Sequence, residues 1–164
     1  MGQGFTFTCA KCGYVYSVHP GSGFMYPDEY QELLQNIESG RYGEERQRLL
    51  KETPYAAVNA ETFVYICRSC GHWGEGKDIT LYAPNNPEAI PHKQYGIKTV
   101  EEWGYVPYVM QYELVSEYHV LKRHYHICSK CHKKMHKASD EELCNLSCPK
   151  CGTVNGFNGA MFWD

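Results

Sequence analysis

Cys128-Ser129-Lys130-Cys131 and Cys148-Pro149-Lys150-Cys151, with sixteen residues between them, decide how this chain is read. Two residues between cysteines let the backbone fold back so that both sulfurs reach one ion. The run Cys-x2-Cys-x16-Cys-x2-Cys lies within the spacing of zinc ribbons. Two more pairs lie upstream, Cys9/Cys12 and Cys67/Cys70. The eight candidate metal ligands are therefore Cys9, Cys12, Cys67, Cys70, Cys128, Cys131, Cys148 and Cys151. A glycine that tolerates positive φ follows three of the pairs (Gly13, Gly71, Gly152), while His132 holds that place in the third.

Thiolates suit Zn2+ or an iron centre rather than Mg2+ or Ca2+. Eight of them make two four-thiolate sites, so two zinc ions per chain are expected, with iron as the alternative. Sequence order pairs the first knuckle with the second and the third with the fourth; pairing the first with the fourth stays open. The 54 residues between Cys12 and Cys67 are then an insertion within the first site. Cys144, the ninth cysteine, reads as a small buried apolar residue, with a redox or spare-ligand role as the alternative.

The rest of the chain fits a protein that needs such staples. Of its 164 residues 43% are apolar, enough for a core, yet they come in short runs. The N-terminus has no basic segment followed by an apolar one, which predicts no secretory leader. No apolar window reaches the ~18 residues of a membrane span. Both readings point to a cytoplasmic protein with reduced thiols and no membrane partner.

The period of the apolar residues predicts the elements. Phe5 and Phe7 alternate with Thr6 and Thr8 into Cys9 as a strand. Tyr30, Leu33, Leu34 and Ile37 mark one face of a helix, with Pro27, Asp28 and Glu29 at its start and Gly40 past its end. A second helix over 43–52, with Glu44 four residues before Arg48, completes a helical hairpin across 27–53. Thr62–Ile66 is a strand into Cys67, and Asp78–Tyr82 its returning partner. Residues 83–97 read as a long irregular loop, 105–114 and 120–127 as strands joined by a turn at 115–119. Ser139 and Glu142 form a capping box for a short helix, and the apolar stretch from Val154 to Trp163 is expected to pack on the second knuckle pair.

The fold class expected is α+β: two zinc ribbons on short antiparallel strands, the first (1–98) carrying the helical insert and the second spanning 99–164. No Ser/His/Asp order, phosphate-cradling glycine loop or paired carboxylates suggest an enzyme. A non-catalytic adaptor that binds an unidentified protein partner is the leading function. Lys122, Arg123, Lys130, Lys133, Lys134 and Lys137, with Tyr118 and Tyr125 among them, give a second reading, nucleic-acid binding through 118–137. Against it stands a net charge of −3, which two four-thiolate zinc centres would lower to about −7. The basic residues would then offset the metal site they surround. His119, His124, His126, His132 and His136 cluster in the same stretch. His132 and His136 have helix-turn ligand spacing, and a solvated polar face is the competing reading.

Cys9-Ala10-Lys11-Cys12-Gly13-Tyr14-Val15-Tyr16 resembles the first knuckle of rubredoxins, and Cys148-Pro149-Lys150-Cys151-Gly152 their second. Both strings also occur across the zinc-ribbon superfamily. The rubredoxin resemblance implies one iron and electron transfer. The chain departs from it in its helical insert and, if knuckles pair in sequence order, in placing the two strings in different sites.

Overall fold

An antiparallel ladder in which Gly4 faces Met161 and Thr6 faces Gly159 ties residues 2–6 to residues 159–163. The computed structural model describes residues 2–156 and 159–163. In chain order the elements are β1 (Gly2–Thr8), β2 (Val15–Val18), α1 (Tyr26–Glu38), α2 (Glu44–Glu52), β3 (Ala57–Val58), β4 (Thr62–Ile66), β5 (Trp73–Lys77) and β6 (Leu81–Pro84). A 3-10 helix (Pro87–His92) leads to β7 (Gln94–Tyr95), β8 (Lys98–Thr99), α3 (Val100–Trp103), α4 (Gln111–Glu117) and β9 (Tyr118–Lys122). The chain ends with β10 (His136–Lys137), α5 (Asp140–Leu143) and β11 (Gly159–Trp163). Helices and antiparallel strands are mixed, as the α+β expectation has it.

These elements form two compact units that do not follow a boundary at residue 98. The first unit comprises 1–24, 61–77 and 125–164; the second comprises 25–60 and 78–124. The chain enters the second unit twice and returns twice. All nine cysteines belong to the first unit and none to the second.

The first unit has two three-stranded sheets, β11-β1-β2 and β10-β4-β5. Phe5, Phe7, Tyr16, Val18, Val64, Leu143 and Leu146 share its core with Cys9 and Cys148. Phe7 stacks on Tyr16 at 4.9 Å between ring centroids, and the Tyr16 hydroxyl donates to the Leu146 carbonyl at 2.7 Å. The partner of β4 is β5, Trp73–Lys77, not the expected Asp78–Tyr82. Two glycines hide β5 from propensity reasoning, yet Gly76 is required. A Cβ there would lie 2.6 Å from the His126 ring. That ring stacks on Tyr65 at 3.7 Å and its Nε2 donates to the Lys77 carbonyl at 3.1 Å.

The second unit is built on the helical hairpin, present as expected. Tyr26, Tyr30, Leu33 and Ile37 of α1 are buried with Val58, Leu81, Val109 and Leu114. Each large side chain buried on this face contributes roughly 1.5–3 kcal/mol. In α2 the ion pair is Arg48 with Glu52, at 2.9 Å, rather than Glu44 with Arg48. Asp78 does not extend a strand: its Oδ1 accepts from the Thr80 amide and hydroxyl, a local turn after which β6 joins the sheet β3-β6-β9.

Residues 105–114 are not one strand. Tyr105–Met110 runs extended along α1, where Gln31 Nε2 donates to the Val106 and Pro107 carbonyls. The chain then turns into α4, where Glu113 accepts from the Met110 amide at 2.6 Å. Alternation of Val106, Tyr108 and Met110 conceals this change of period at Gln111. The 83–97 segment is less irregular than expected. It holds the 3-10 helix and half of a β7/β8 hairpin, and Lys93 pairs with Glu113 at 2.5 Å and Glu117 at 2.7 Å.

Candidate metal centres

Each Cys-x-x-Cys pair sits at the tip of a hairpin with the same two backbone bonds. The first cysteine's amide donates to the carbonyl five residues on, and its carbonyl accepts from the amide four residues on. The donor–acceptor pairs are Cys9 to Tyr14, Cys67 to His72, Cys128 to Lys133 and Cys148 to Thr153, closed by Gly13, Gly71, His132 and Gly152. Those four closing residues all have positive φ (69°, 71°, 57° and 74°). His132 therefore does not break the pattern. It adopts the left-handed conformation that its three glycine counterparts adopt without a Cβ penalty.

The eight cysteines come together in two groups of four. Cys9, Cys12, Cys148 and Cys151 form one, and Cys67, Cys70, Cys128 and Cys131 the other; within each, all sulfurs lie within 4.8 Å of one another. This corrects the sequential pairing: the knuckles are nested, first with fourth and second with third. The cause lies in strand pairing. β11 beyond the fourth knuckle joins β1 before the first, and β10 beyond the third joins β4 before the second. Asn155 adds a clamp, its Oδ1 accepting from the Ala10 amide at 3.0 Å across the first group. The terminal stretch thus ties back to the N-terminal strand; the expected packing of side chains over 157–158 and 160–163 lies outside the described residues.

The sulfur spacing fits a tetrahedral ion. Four sulfurs about 2.3 Å from one zinc stand about 3.8 Å apart. The closest cross-knuckle pairs are Cys9–Cys151 at 3.5 Å, Cys12–Cys148 at 3.7 Å, Cys67–Cys131 at 3.3 Å and Cys70–Cys128 at 3.6 Å. All nine cysteines are free thiols, and these separations are far from an S–S bond length of about 2.0 Å.

Without an ion the thiols divide unequally. Burial pushes Cys9 up, but amide bonds from Cys12 and Lys11 and the side chains of Asn155 and Cys151 outweigh it, lowering its pKa to about 6. Burial likewise opposes, and the Cys131 thiol and the Cys70 and Ser69 amides overcome, in lowering Cys67 to about 6. At Cys12 and Cys70 the backbone at Tyr14 and His72 favours the thiolate, yet burial and neighbouring sulfurs prevail and raise them to about 11 and about 12. Cys151 and Cys128 are also held below the ordinary thiol value, Cys151 chiefly by the Thr153 hydroxyl and amide, while at Cys128 burial is outweighed by the Cys131 and Lys130 amides. Each group thus sets two lowered thiols beside a raised one.

The other expected residues fall outside these groups. Cys144 ends α5, half-buried against the first unit's core. His132 and His136 do not converge: His132 is exposed, and His136 Nε2 lies 2.9 Å from Glu142 Oε1. The basic stretch 118–137 is divided between the units after His124, and Lys122 is paired with Glu45 at 2.7 Å in the second. The residue beside the centres that spacing did not reveal is Asn155. Asn155 lies three residues beyond Gly152, the last residue of the fourth knuckle turn, and carries no spacing signal of its own.

No family model, no curated protein and no solved structure matches this chain. Among the described residues no helix is long and apolar enough to cross a membrane.

Proposed function

We propose that this chain is a zinc-stabilised, non-catalytic binding protein, in which two structural zinc ions each hold a nested pair of knuckles. The observation that carries the reading is the closed donor set: four convergent thiolates of the chain itself at each centre. Such a set fills a tetrahedral zinc and leaves no coordination position for water or substrate, which is the arrangement of structural rather than catalytic sites. Free thiols in this number suit a reducing, cytoplasmic setting. Metal analysis of freshly purified protein tests the proposal, with two zinc per chain and no visible colour as the expected result.

A second reading rests on the nesting. The two rubredoxin-like strings, Cys9–Tyr16 and Cys148–Gly152, meet in one centre, which removes one of the chain's departures from that pattern. An iron electron carrier would be red when oxidised and would bleach on reduction. Colourless protein from iron-supplied cells would end that reading.

A further inference from the structure

The unit that carries both four-cysteine groups also carries a groove of about 480 Å3 lined from three of the four knuckles. The second contributes Cys70 and His72, the third Lys130, and the fourth Cys148, Pro149 and Lys150, with Trp73 beside them. Trp73 Nε1 donates to the Ser147 carbonyl at 2.7 Å, which fixes the indole between the second and fourth knuckles. None of the lining residues is acidic. The six acids of this unit (Glu61, Glu75, Asp140, Glu141, Glu142 and Asp164) are none of the residues that line the groove.

Each four-cysteine group also presents an exposed tyrosine with an ammonium at its ring. Tyr14, beside the first knuckle, is 44% exposed with Lys150 Nζ 6.0 Å from its centroid; Tyr125, before the third, is 51% exposed with Lys134 Nζ at 4.0 Å. Lys133 bridges the second and third knuckles by donating to Ser69 Oγ at 2.9 Å. Lys130 and Lys150 give the groove two ammonium groups beside the four-thiolate centres whose Cys70 and Cys148 also line it. Together with exposed tyrosines next to the same centres they suit a flexible polyanion with planar groups. A duplex would keep its bases stacked inside and offer the tyrosines nothing. An acidic peptide would use the lysines and leave the rings without a role.

We propose that this groove binds single-stranded nucleic acid, with Lys130 and Lys150 meeting phosphates and Tyr14 and Tyr125 stacking on bases. The proposal rests on reading the unit as a metal-stabilised binding module and names that module's partner. It also moves the contact face from the continuous stretch 118–137 to residues drawn from separate knuckles.

The test is fluorescence anisotropy of labelled dT20 and rU20 with the metal-loaded full-length chain, at several salt concentrations. Binding is expected at low salt and should weaken steeply as salt rises. Replacing Lys130 and Lys150 together by alanine should weaken it at least tenfold and reduce the log–log salt slope by about 1.4, two single-strand phosphate contacts. Tyr125→Ala and Tyr14→Ala should each weaken binding about fivefold or more. Metal content and circular dichroism of every variant separate loss of contact from loss of fold, and metal content of the parent tests the metal reading by itself. Absence of binding by the metal-loaded parent at low salt would overturn the proposal. So would affinity that survives the double lysine replacement, or polyglutamate competing as well as rU20 with both tyrosine variants unaffected.

Discussion

Cys12 and Cys148 are 136 residues apart in the chain, and their Sγ atoms stand 3.7 Å apart. Between them the chain completes the second four-cysteine group and passes twice through a cysteine-free unit. The first unit is therefore closed only when its last segment, 125–164, returns. Loop closure over that length is costly in entropy, and a multivalent ion is the cross-link that can offset it.

Chelation should act on one unit and spare the other. Cys12 and Cys70 are exposed, so a strong chelator can reach each centre. Hydrogen exchange after metal removal is expected to show loss of protection in β1, β4 and β5, while α1, Val58 and Leu81 of the second core stay protected. Acid should act in the same direction. In the metal-free chain the Cys9 and Cys67 thiols are lowered to about 6 from their ordinary 9.0, so their contribution is present at high pH and is lost as pH falls through about 6. Protons also compete with the ion for the same sulfurs.

His132→Gly should stabilise the third knuckle. His132 has a φ of 57°, where a Cβ costs about 1–2 kcal/mol, less the backbone entropy glycine gives up. A net gain of about 0.5–1 kcal/mol is expected in denaturant unfolding, with metal content unchanged.

Gly76→Ala should destabilise the first unit by about 1–3 kcal/mol, since the new Cβ would drive the His126 ring off Tyr65. His126→Ala in the same chain should recover part of that loss, because the clash disappears with the ring. Thermal unfolding of the two variants measures both effects.

Lys93→Met should cost roughly 3 kcal/mol in the second unit. It leaves Glu113, whose side chain is only 6% exposed, without its cation. Replacing Glu113 by leucine as well should restore part of the stability, because the buried carboxylate is then gone, while the bond that Glu113 accepts from the Met110 amide is lost with it. A chemical-denaturation series on the single and double variants checks this.

Local features were legible in the sequence, and long-range ones were not. The four knuckles, the α1/α2 hairpin, β4 and the Ser139–Glu142 capping box follow from spacing, periodicity and capping chemistry within a few residues. Knuckle pairing does not, because a Cys-x-x-Cys turn encodes its own geometry and carries no information about its partner. That information lies in β10 and β11, of two and five residues, whose pairing has no periodic signature. The second unit's boundaries were hidden for a related reason. Asp78 caps a turn through Thr80 in a stretch whose Ile79, Leu81 and Tyr82 read as a strand.

Nested pairing underlies the closure of the first unit, and the metal stoichiometry of two cysteine variants decides it. With Cys9, Cys12, Cys148 and Cys151 all replaced by serine, one group is removed and the other is untouched. Nesting then leaves one metal ion per chain, and none when Cys9, Cys12, Cys67 and Cys70 are replaced instead. The reverse result, none in the first variant and one in the second, would refute nesting and restore pairing in sequence order.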